Sequence, residues 1–90
     1  LLLSSINLNY NNLVLGKKAF AKCYSLKTLS LLDVHEISYS VFEYCFNLTN
    51  IILFNTNKIL SNAFKGCFNL IKIIILSKCY LDKYAFKACF

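Results

Sequence analysis

The sequence predicts a solenoid of short parallel β-strands, and three observations carry that prediction. The segments AFAKC (19–23), VFEYC (41–45), AFKGC (63–67) and AFKAC (85–89) recur at one constant spacing. Aligned on that period, Leu15, Ile37, Ile59 and Leu81 fall in register, and so do Ala19, Val41, Ala63 and Ala85, then Phe20, Phe42, Phe64 and Phe86, then Cys23, Cys45, Cys67 and Cys89. The stretches 29–31, 51–53 and 73–75 each place an apolar residue on either side of an outward one. That alternation is the period of a strand with one buried face. Self-similarity at a fixed period of a few tens of residues marks an architecture in which each repeat buries its apolar face on its neighbours.

The elements follow in chain order. Leu3, Ile6 and Leu8 have the same spacing as the later strands, with one extra residue before Leu15, and predict a first strand. Leu29 and Leu31, Ile51 and Leu53, and Ile73 and Ile75 predict three more. Equivalent residues should then lie about 4.8 Å apart, the distance between neighbouring strands, so that side chains form ladders. The A-F-x-x-C segments predict a helical turn or a 3₁₀ piece on the outer side, because the stretch between apolar anchors is too short for a stable helix. The aromatics that follow each cysteine, Tyr24, Phe46, Phe68 and Phe90, precede a leucine set of Leu26, Leu48 and Leu70.

The order of leucine, two residues, apolar, one residue, apolar, then isoleucine before A-F-x-x-C resembles the BspA-like leucine-rich repeat of bacterial and protist surface antigens. The resemblance covers nearly the whole chain. It implies a right-handed leucine-rich repeat solenoid, with short parallel strands on one face and turns or short helical or 3₁₀ segments on the other. It also implies a non-catalytic protein-interaction module in a cell-surface or secreted adhesin or antigen; an intracellular leucine-rich scaffold is the alternative. The chain departs from the pattern in having no proline, and in placing Leu32, Phe54 and Leu76 just after the strands.

The whole chain, 1–90, reads as one domain: a partial repeat, three full repeats at about 15–36, 37–58 and 59–80, and a truncated one at 81–90. With no methionine, no polar cap at either end and a start inside a strand pattern, the chain reads as part of a longer array, with neighbouring repeats as its natural partners. No apolar run approaches the length of about 18 residues or more that a membrane-spanning helix needs.

The formal charge of +6 comes from ten lysines and no arginine. Arginine reads phosphate and guanine in bidentate fashion, so its absence argues against specific nucleic-acid recognition. The lysines share no single ladder and read as solvated surface, with a lysine-mediated polyanion or membrane-surface site as the alternative. Cysteines placed a whole repeat apart lack the C-x-x-C clustering of a zinc site and read as buried small hydrophobes. Cys79, outside the ladder, is the candidate exposed thiol. His35 lies two repeats from Cys79 in register, about 10 Å by stacking distance, too far for a dyad. Gly16 and Gly66 are isolated, so no phosphate loop is present, and neither an enzymatic site nor a cofactor is expected. Asn47-Leu48-Thr49 matches a glycosylation acceptor.

The outward residues of the strands form the candidate partner-binding face: Asn50, Ile52 and Phe54 in one layer, and Lys72, Ile74 and Leu76 in the next. Thr28, Ser30 and Leu32 precede them, so the face grows more apolar along the chain. Contiguous exposed apolar side chains mark partner sites on soluble proteins. The competing reading turns Leu32, Phe54 and Leu76 inward at the strand ends, or covers them with a neighbouring segment.

Overall fold

Alternating leucine and isoleucine do set the strands. In a computed structural model, which describes residues 4–8 and 15–90, β1 (Ser5–Leu8), β2 (Thr28–Leu31), β4 (Asn50–Leu53) and β6 (Lys72–Ile75) form one parallel sheet in the order β1-β2-β4-β6. The register is one residue to one residue throughout, with Ile6 opposite Leu29, Leu29 opposite Ile51, and Ile51 opposite Ile73. The step from β1 to β2, in which Ser5 faces Thr28, is one residue longer than the next, in which Thr28 faces Asn50, and the extra residue lies between Leu8 and Leu15. Leu3, assigned above to the first strand, lies outside the described residues.

A second sheet was not expected. Ile37, Ile59 and Leu81 sit in the two-residue strands β3 (Glu36–Ile37), β5 (Lys58–Ile59) and β7 (Tyr80–Leu81), which pair in parallel in that order, and Leu15 bridges to Ile37. The apolar register of these positions was visible in the sequence, but so short a strand cannot show a period of two. The core lies between this sheet, the strand sheet and the outer turns. Leu26, Leu29, Leu31, Ile37, Leu48, Ile51, Leu53 and Ile59 are buried in it.

The A-F-x-x-C segments are turns rather than a 3₁₀ helix, and their hydrogen bonding explains why. Within one layer, the amides of Ala19, Ala21 and Cys23 donate back to Gly16, Lys18 and Phe20. The amides between them turn outward: Lys18, Phe20 and Lys22 donate to Tyr39, Val41 and Glu43 of the next layer. The same alternation joins Ser40, Phe42 and Tyr44 to Ser61, Ala63 and Lys65, and Asn62, Phe64 and Gly66 to Tyr84, Ala85 and Lys87. A helix would spend every amide inside its own layer. Left-handed residues prevent it: Lys18, Lys22, Ser40, Tyr44, Asn62 and Ala88 have φ between 57° and 61°, and Gly66 has 72°.

Ladders of side chains run through the stack. Phe20, Phe42, Phe64 and Phe86 stack with centroids 5.1–5.6 Å apart and nearly parallel planes, a geometry that adds about 0.5–1.5 kcal/mol per pair beyond area burial. The thiols of Cys45, Cys67 and Cys89 donate to the carbonyls of Phe20, Phe42 and Phe64 in the layer before, at 3.0–3.3 Å. Cysteine therefore supplies a small apolar body and a weak donor at one position. Burial pushes the Cys45 thiol up to about 11 and the Cys67 thiol higher still. Polar ladders close the corners: Thr56 Oγ1 donates to the Val34 carbonyl at 2.6 Å, and Ser77 Oγ to that of Thr56 at 2.6 Å.

Gly66 is the one left-handed position where a side chain has no room, because a Cβ there would run into the Tyr44 ring. Gly66→Ala should lower stability by at least about 1–2 kcal/mol in urea unfolding, whereas Gly16→Ala, with nothing within 4 Å of its Cβ, should change it by less than about 0.5 kcal/mol. Adding Tyr44→Ala to Gly66→Ala should recover the steric part, leaving a non-additive double-mutant cycle.

The thiols supply a second expectation. In the folded chain a disulfide-exchange reagent should titrate Cys79, which is half-buried, well before Cys23, Cys45, Cys67 and Cys89, and all five should react once the chain unfolds. The ordinary thiol value of about 9.0 applies to the unfolded chain, and burial raises it in the fold. Below that value both states keep their protons and the contribution is complete. As pH rises through it, the unfolded chain ionises first and is favoured. Unfolding midpoints should fall above about pH 9, and less steeply in a chain with Cys45 and Cys67 changed to Ala.

Candidate interaction face

The strand sheet presents its outward residues as two rows. Thr28, Asn50 and Lys72 stand in register at the strand starts, and Ser30, Ile52 and Ile74 in register at mid-strand. Leu32, Phe54 and Leu76 extend the pattern by one residue, held in place because the Phe54 amide donates to Leu31 and the Leu76 amide to Leu53. All three are exposed, Phe54 by 36% and Leu76 by 60%, rather than turned into the core. Ile52 and Ile74 are half-buried against their neighbours. The six candidate residues, Asn50, Ile52, Phe54, Lys72, Ile74 and Leu76, thus lie on one face in two adjacent layers.

A shallow depression of about 300 Å³ opens on this face, lined by Thr28, Ser30, Asn50, Ile52 and Lys72. A larger one of about 550 Å³ lies beside it, before the strand starts, and no sequence signal pointed to it; Lys27, Asn47, Thr49, Phe68, Asn69 and Ile71 line it. Phe68 stacks on Phe46 at 5.3 Å, and Phe46 on Tyr24 at 5.0 Å, so the aromatics after the cysteines form a second, exposed ladder. Asn47 Nδ2 donates to the Tyr24 carbonyl and Asn69 Nδ2 to that of Phe46, both at 2.6 Å. Asn69 makes this bond without a following hydroxyl residue two positions on, and Thr49 Oγ1 donates to Lys27. The ladder alone therefore accounts for Asn47 and Thr49 of the acceptor tripeptide.

The lysines are less scattered than their ladder positions suggest. Lys17, Lys18, Lys22, Lys65, Lys83 and Lys87 fall in four ladders, Lys65 with Lys87 and Lys17 with Lys83, but all on the outer turns, opposite the strand face. Lys65 lies over the Tyr44 ring, and Lys83 and Lys87 over that of Tyr84, at 5.0–5.5 Å. His35 Nε2 lies 2.8 Å from Asp33 Oδ1, so the histidine is engaged by a carboxylate rather than by Cys79. The Cys79 thiol, pushed up by partial burial, lies 3.6 Å from the Tyr80 carbonyl. Among the described residues no group of His, Cys, Asp and Glu is placed to hold a metal ion, and no helix is long and apolar enough to cross a membrane.

Comparison with known proteins agrees with this architecture. The family model for the BspA type leucine rich repeat region matches residues 2–90 in 6 copies. No curated protein and no solved structure matches the chain. Stacked parallel strands, an unbroken ladder of A-F-x-x-C turns and a family match over nearly the whole sequence have one meaning: the chain belongs to the BspA-type leucine-rich repeat family.

Proposed function

We propose that the chain is a non-catalytic protein-binding segment of a cell-surface or secreted adhesin or antigen, and that it engages its partner through the strand face. Repeats of this family are generally protein-interaction modules. The observation that carries the reading to this site is the exposure of Phe54 and Leu76 beside half-buried Ile52 and Ile74, with Asn50 and Lys72 at the rim. Rigid strands hold these side chains at fixed spacing, so little ordering entropy is lost on binding. An apolar centre with a polar rim is the usual anatomy of a protein interface.

The outer turns favour a second reading. Six lysines and two lysine-covered tyrosine rings there suit an anionic surface, and salt separates the two. A polyanion bound by six lysines should lose about 10³-fold in affinity between about 50 and 200 mM salt. Strand-face binding should change by less than about tenfold.

Intact source cells treated with a membrane-impermeant biotinylating reagent should yield labelled chain; protein labelled only after lysis would place it inside. A partner captured from the surface fraction should lose about tenfold or more in affinity for the Phe54→Ser variant, with the thermal unfolding midpoint unchanged. Equal affinity for that variant would remove the strand face from consideration.

A further inference from the structure

We propose that the binding site continues past the strand starts into the larger neighbouring depression, and that the two together take an extended peptide carrying a carboxylate side chain beside an aromatic or branched apolar one. This rests on the strand-face reading and names the chemistry of its partner. The two depressions adjoin, because consecutive residues are divided between them: Lys27 and Thr28, Thr49 and Asn50, Ile71 and Lys72. The result is a trough that runs from Ile52 on the strand face, over the strand-start edge, to Phe68 on the outer aromatic ladder.

Charge selects the carboxylate. Lys27 and Lys72 line the trough and no acidic residue does, since Asp33, Glu36, Glu43 and Asp82 all lie on other loops, strands or turns. Among the described residues neither lysine forms an ion pair. They sit two layers apart, so about 10 Å separates their backbones, and both flexible stems reach a carboxylate placed between them. Two exposed ammonium groups and no carboxylate along the edge make its charge complementary to an acidic side chain.

Apolar surface selects the second element. Ile71 is 83% exposed and Phe68 57% exposed, at the mouth of the larger depression. An aromatic or branched side chain of the peptide packs against these two exposed residues. Hydrogen bonding selects a peptide over a bare amphipathic anion. Asn47 and Asn69 direct their Nδ2 groups into the ladder, and among the described residues neither Oδ1 accepts a hydrogen bond. Those oxygens suit backbone N–H donors and would repel a carboxylate that lacked them.

The test is selection of a random dodecapeptide phage library on the whole chain, followed by fluorescence anisotropy of the selected peptides. Selected sequences should combine Asp or Glu with Phe, Tyr, Leu or Ile. The Lys27→Glu, Lys72→Glu double variant and Phe68→Ser should each weaken them at least about tenfold, whereas Lys58→Glu, an equivalent charge reversal on the second sheet, should leave them within about twofold, with all unfolding midpoints close to that of the original chain. Peptides without carboxylates, or peptides indifferent to the double variant, overturn the proposal. Peptides weakened by Phe54→Ser but not by the double variant overturn the extension and leave the strand face standing. Peptides weakened by the double variant but not by Ile52→Ser, at a residue that lines the strand-face depression, overturn the continuous trough.

Discussion

Every layer of this protein is tied to the next by outer-turn amides that leave their own turn and donate across the stack. The three cross-layer bonds per interface go with two left-handed residues per turn, at the positions of Lys18, Ser40 and Asn62 and at those of Lys22, Tyr44 and Gly66. Each non-glycine residue in that conformation costs about 1 kcal/mol, comparable to the net gain of about 1 kcal/mol from one hydrogen bond. The turns are thus near neutral as local structure and favourable only as a stack. Their alternation fixes the layer spacing, which in turn lets the Phe20 to Phe86 rings stack, the cysteine thiols reach carbonyls and the strands on the far side pair without a slip.

Function follows from what such a stack leaves unconstrained. Inward positions repeat because each must fit the layer below: Leu29, Ile51 and Ile73 are one example. Outward positions have no such obligation, and here they drift from Ser30 to Ile52 and Ile74 along one row and from Thr28 to Lys72 along the other. The strand face is therefore a rigid surface whose character changes every layer. The break in repetition is sharpest at the strand-start edge, where Lys27, Thr49 and Ile71 occupy equivalent positions with a charge, a hydroxyl and an exposed apolar side chain. That break is what distinguishes the edge shared by the two depressions.

Much of the fold was legible because side-chain ladders are a property of sequence. The strands at Leu29, Ile51 and Ile73 and the buried cysteines could be placed from spacing alone. The backbone of the outer turns could not: among the described residues six of the seven left-handed ones are not glycine, so no residue type announced them, and a 3₁₀ piece looked equally suitable. The two-residue strands at Ile37, Ile59 and Leu81 were too short to show alternation. Of the candidate site, the face bearing Asn50, Ile52, Phe54, Lys72, Ile74 and Leu76 was readable from strand direction. The depression beside it was not, because it depends on where Phe68 and Ile71 stand relative to Lys27 across layers rather than on any repeated pattern. The gathering of lysines on the outer turns does not show along single ladders, because one turn contains several.

Native-state amide hydrogen exchange, resolved residue by residue, tests the cross-layer bonding most directly. The amides of Phe42, Tyr44, Phe64 and Gly66, which donate to the next layer, should exchange slowly and together with the strand amides, at rates set by unfolding of the whole stack. Rapid exchange at Phe42, Tyr44, Phe64 and Gly66 alongside protected strands would contradict the account, because the outer turns would then be local structure riding on the sheet rather than the link that joins the layers.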